Sequence, residues 1–112
     1  MTDMTDLLEI APATVVHVIF LHREDSASAA AELHEFIEAL NTDERAHLTA
    51  IAWVGRGTFE PEDYATAVET AYEEATSPTA DYLMAMPDLA ENLEAGLEAL
   101  GVDVAAEEED FL

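Results

Sequence analysis

The chain has no cysteine and no lysine, and both absences narrow what it can be. Without cysteine there is no disulfide, no thiolate nucleophile and no cysteine-ligated zinc. Without lysine, only Arg23, Arg45 and Arg56 offset 26 aspartates and glutamates, giving a formal net charge of −23. Such a chain repels phosphate, which argues against direct binding of nucleic acid or of an anionic membrane. Long apolar runs are lacking too. The longest, Val15 to Leu21, is interrupted by His17 and is far too short to span a bilayer. The N-terminal MTDMTDLLEI is acidic where a secretory signal would be basic, so a soluble, cytoplasmic protein is expected.

What is present points to one globular domain. Half of the 112 residues are hydrophobic, and a chain of this length buries about two thirds of its unfolded surface. The acidic residues are spread over all the expected elements instead of forming one stripe. That distribution fits a solvated acidic surface, whose self-repulsion added salt should relieve. The competing reading is mimicry of DNA phosphates, by which the chain would occupy a basic partner.

The spacing predicts an all-α fold of five to six helices around a central apolar helix at about 43–54. Residues 1–11 read as a loose leader with Leu7, Leu8 and Ile10 as anchors, 12–101 as the helical domain and 102–112 as a solvated acidic tail. Phe111 and Leu112 could dock on the body or on another chain. Pro12 suits the first turn of a helix. The following Val15 to Leu21 is β-branched enough to suit a strand, but no second stretch offers it a partner, so a helix is expected. Its apolar faces (Val15, Val18 and Ile19; Val16 and Phe20) allow self-association, which makes a homodimer through Val15–Phe20 an expectation.

Leu33, Phe36, Ile37 and Leu40 share one face of the next helix, opposite Glu32, Glu35 and Glu38. Asn41 and Glu44 make a capping-box pair for the central helix. That helix is apolar nearly all round, from Ala46 through Leu48, Ala50, Ile51, Ala52 and Trp53 to Val54, so it must be enclosed. Gly55 is expected to stop it. A fourth helix follows Pro61 and buries Tyr64, Ala67, Val68, Ala71 and Tyr72. A short helix at about Ala80 to Ala85 and a last one at about Asp88 to Leu100 follow. In the last helix Gly96 lets a neighbour approach, and Gly101 is the stop.

Chemistry-bearing patterns are few. Glu44 and His47 form one E-x-x-H, whereas di-iron bundles need two such pairs and two more glutamates. A metal-binding protein or metalloenzyme using Glu44 and His47 is therefore an alternative, and a core histidine bonded to a neighbouring polar group is the simpler account. His34 reads as solvated. Ser26, Ser28 and Ser77 sit in cap or turn contexts, and no serine has the base and oxyanion donors that a nucleophile needs. Gly55-Arg56-Gly57 matches neither glycine-rich phosphate motif. No catalytic residue and no cofactor is expected. The remaining feature is a recognition patch of Trp53, Arg56, Asp81 and Tyr82, residue types that anchor interfaces; the simpler account pairs Arg56 with a local carboxylate such as Asp81.

The run from Phe36 to Gly57, with Ala80 to Leu83 and Leu93 to Gly101, resembles a bacterial family, domain of unknown function 3775. The resemblance implies a small helical cytoplasmic protein, and it implies no activity, substrate or catalytic residue. Met86 stands where a small polar residue is expected in that family. The function expected is a non-catalytic interaction or regulatory domain with a protein partner.

Overall fold

The computed structural model describes residues 7–24, 26–74 and 78–111. Among the described residues there are seven α-helices: α1 (Pro12–Arg23), α2 (Ala27–Ala39), α3 (Thr42–Arg56), α4 (Tyr64–Glu73), α5 (Thr79–Met84), α6 (Leu89–Ala99) and α7 (Val104–Phe111). A 3-10 turn at Pro61–Asp63 leads into α4, and no strand occurs among the described residues. The all-α expectation holds, with one helix more than foreseen.

Local chemistry sets the ends of these helices. Pro12 occupies the first turn of α1, and Arg23 sits in its last turn, where a cation offsets the exposed carbonyls. Ser26 Oγ accepts from Ala29 N at 3.1 Å to start α2. At the start of α3 the capping box closes both ways: Asn41 Oδ1 accepts from Glu44 N at 2.7 Å, and Glu44 Oε1 accepts from Asn41 N at 3.0 Å.

α3 lies at the centre, as its composition requires. Every residue from Ala46 to Val54 is buried. α6 packs along one flank of α3, α4 and α5 lie against others, and α1 covers the far side of α6. The contact between α3 and α6 depends on two glycines. A Cβ on Gly55 would lie 1.7 Å from the Asn92 carbonyl oxygen, and one on Gly96 would lie 2.1 Å from that of Ile51. Gly96 thus does what the sequence suggested. Gly55 does not: it lies inside α3, and the stop is Gly57, whose φ of 90° is left-handed. The N–H of Thr58 closes that end on the Trp53 carbonyl at 3.0 Å. Close approach of two backbones, rather than a turn, explains Gly55.

The β-branched first segment is helical because helices of its own chain surround it. α2, α6 and α7 all contact α1, and Val15, Val16, Val18 and Ile19 are fully enclosed. The apolar side chains Val15, Val16, Val18 and Ile19 are thus spent inside one chain; only His17 and Phe20 of that stretch are partly exposed.

The acidic end also needs correction. The expected solvated tail from residue 102 contains α7, and Val102 and Val104 belong to the core. Arg23 explains how acidic residues come to pack there. Its guanidinium reaches Glu94 of α6 at 2.6 Å and Glu108 of α7 at 3.5 Å, so one cation serves two carboxylates. The hydrogen bond from Arg23 holds the Glu94 carboxyl below its usual range, whereas partial burial and the neighbouring Glu94 push Glu108 up. In the leader, Ile10 is buried and Leu8 packs against the core, whereas Leu7 is exposed. Residues 1–6, Ser77 and the side chains of Phe111 and Leu112 lie outside what is described.

Candidate functional site

On the flank of α3 away from α6, Thr42, Arg45, Ala46, Thr49 and Trp53 fall on one face, spaced three or four residues apart. They floor a hollow of about 320 Å³. Glu38 from α2, Ala71, Tyr72 and Glu74 from the α4 side, and Pro78, Thr79 and Tyr82 from the α5 side complete its walls. Small side chains at Ala46 and Ala71 leave the space open. Longer residues at those two positions would fill it.

Hydrogen bonds hold the walls in place. Trp53 Nε1–H donates to the Tyr82 hydroxyl at 2.9 Å, and the two rings meet edge to face with centroids 6.5 Å apart. Phe59 stacks against Trp53 at 5.8 Å. Arg45 donates to the Glu38 carbonyl at 3.1 Å, and Thr49 Oγ1 donates to the Arg45 carbonyl at 3.0 Å. The Tyr72 hydroxyl donates to Asp43, and that bond to a carboxylate raises the Tyr72 pKa to about 12. Tyr72 and Tyr82 are each 40% exposed, whereas Trp53 is 5% exposed. The hollow therefore presents two tyrosines to solvent over a nearly buried indole. The burial expected for Tyr72 fails for this reason: its ring is a wall of the opening.

The structure divides the expected patch of Trp53, Arg56, Asp81 and Tyr82. Trp53 and Tyr82 meet directly. Arg56 and Tyr82 share a second, shallower hollow of about 260 Å³ with Ala85, Met86 and Pro87, so Tyr82 stands between the two. Asp81 is engaged elsewhere, with His34 Nε2 at 3.1 Å from its carboxylate. Two expectations change together. Arg56 does not pair with Asp81 but donates through Nε to Thr58 Oγ1 at 3.0 Å, and His34 is a partner of Asp81 instead of merely solvated. α2 packs against α5, which brings His34 and Asp81 together.

His47 is the buried histidine expected, 4% exposed. The Tyr64 hydroxyl lies 2.5 Å from Nδ1, Glu9 N lies 3.4 Å from the same atom, and the Glu9 carboxylate lies 3.3 Å from Nε2. Nδ1 thus accepts and Nε2–H donates, which assigns the neutral tautomer. Loss of solvation lowers the His47 pKa, and the opposing pull of Glu9 does not restore it. Burial likewise raises that of Tyr64, so its hydroxyl keeps its proton. The metal alternative meets an occupied ligand: Glu44 is committed to the cap of its own helix, and the carboxylate beside His47 is Glu9. Among the described residues no group of three histidines, aspartates or glutamates is placed to hold a metal ion.

Sequence reasoning missed Arg45, Thr49 and Tyr72 as lining residues. A signal existed for two of them. Arg45, Thr49 and Trp53 recur every four residues, a polar-to-aromatic stripe on a helix otherwise apolar all round. Tyr72 carried no such signal, because α4 periodicity assigns it to the buried face.

A family model described as protein of unknown function (DUF3775) matches residues 30–102. That stretch contains every residue lining both hollows. Comparisons with curated proteins and with solved structures gave no significant match. No helix among the described residues is long and apolar enough to cross a membrane.

Proposed function

We propose, from the premise that the chain belongs to the DUF3775 family, that it is a non-catalytic interaction or regulatory domain of the cytoplasm. It recognises a protein partner through the α3–α4–α5 face. The observation that carries this reading is the aromatic-walled hollow over Trp53, with Tyr82 shared between it and the Arg56 hollow. Exposed tyrosine and arginine beside a buried tryptophan is the composition of an interface anchor. The polar groups around the hollow support a binding role more than a reaction: Trp53, Thr49, Arg45 and Tyr72 are already donating within the chain.

Capture from the native lysate with wild-type, Tyr82→Ala and Arg56→Ala baits tests the reading. Arg56 is exposed, so Arg56→Ala should keep the helical signal and melting point. Both variants should lose a partner that the wild type retains. A partner held equally by all three baits would place recognition elsewhere on the molecule.

A further inference from the structure

Charge decides what kind of segment the hollow can take. Arg45 is its one cation, and Glu38 and Glu74 are both in its walls. Asp43 adds a third carboxylate, against the Tyr72 hydroxyl. The local sign is therefore negative, in agreement with the net charge of −23 around it, and an acidic occupant would be repelled at both scales. Three aromatic rings line the same space, and aromatic faces attract ammonium and guanidinium groups. A volume of about 320 Å³ is at the lower end for ligand sites. It suits one or two side chains of a peptide better than a large cofactor. One Arg45 N–H is held by the Glu38 carbonyl, which anchors the guanidinium in the lining with further N–H groups available to a peptide carbonyl.

Resting on the recognition reading above, we infer that the hollow binds a basic peptide segment of a partner protein. A lysine or arginine side chain of that segment lies against Trp53, Tyr72 and Tyr82, with its charge toward Glu38 and Glu74.

A random peptide library displayed on phage and selected on the intact chain at elevated salt tests this inference. Trp53 is the only tryptophan, so its fluorescence reports whether a selected peptide enters the hollow. The expected sequences place lysine or arginine beside an apolar residue, and the leading synthetic peptide changes Trp53 emission. Its affinity falls at least tenfold in Tyr82→Ala. It falls about five- to tenfold in a Glu38→Gln/Glu74→Gln double variant. That double variant removes two of 26 acidic charges, so attraction to the whole surface would hardly notice it.

Each other result is decisive. Acidic or uncharged peptides that alter Trp53 emission would overturn the basic occupant and leave the recognition site standing. Basic peptides indifferent to the double variant would show diffuse attraction and overturn the proposal. Peptides that leave Trp53 and Tyr82 uninvolved, or a library with no Tyr82-dependent binder, would overturn the recognition reading as well.

Discussion

The two flanks of α3 are built in opposite ways. Toward α6 the helix is sealed, with Gly55 and Gly96 letting the backbones approach until no added Cβ fits. Toward α4 and α5 the same helix carries arginine, threonine and tryptophan under an opening walled by tyrosines. Small residues occur on both flanks with different results. On the first they bring two helices together. On the second Ala46 and Ala71 leave room that the chain does not fill. A helix can thus be enclosed along nine successive residues and still have an opening over one edge, because enclosure by partly exposed tyrosines is incomplete.

The largest effect that would test this contrast is on the sealed flank. Gly96→Ala places a Cβ against the Ile51 backbone, and backbone cannot yield as a flexible side chain does. A loss of about 3 kcal/mol or more is expected, measured by urea unfolding followed by circular dichroism. A loss below about 1 kcal/mol would mean that the two helices are not in such close contact.

Salt should act on folding and on binding with opposite signs. Screening relieves the self-repulsion of a −23 chain, so the melting temperature should rise with sodium chloride. Binding of a basic segment in the hollow should weaken over the same range. A melting temperature flat between low and high salt would remove the repulsion argument.

A smaller effect comes from His47, between α4 and the segment before α1. Its folded pKa is lowered from 6.5, first by desolvation. The folded chain therefore binds fewer protons there than the unfolded one. The stability this contributes is present above pH 6.5 and is lost as the pH falls below it. Unfolding free energies of the wild type and His47→Asn, compared across pH, should converge as the solution is acidified through that value. An advantage that instead grows on acidification would reverse the assigned tautomer and its environment.

Much of this was legible in the sequence for identifiable reasons. The 3.6-residue periodicity of α2 and α6, the Asn41–Glu44 cap and the apolar circumference of α3 each specify a local structure without outside help. Gly55 misled because a glycine near a helix end has two physical meanings, a left-handed stop or a close packing contact, and only the neighbouring helix distinguishes them. The 102–112 segment misled because composition favoured solvation, while Arg23, 71 residues from Glu94, supplies the pairing that favours packing. The site was legible only at its centre. Of the four residues read as a patch, Trp53 and Tyr82 meet, whereas Asp81 pairs with His34, a contact set by how α2 meets α5. Tyr72 was assigned inward by periodicity and lies at the opening, since its hydroxyl is drawn to Asp43.

The contrast between the two flanks requires that the tryptophan of α3 be covered by its own chain. Acrylamide quenching of Trp53 in the intact protein measures that cover directly, with the urea-unfolded chain as the reference. An indole 5% exposed, under Phe59 and hydrogen-bonded to Tyr82, should be quenched far less than in the unfolded chain and emit at shorter wavelength. Equal quenching in the two states would contradict the account.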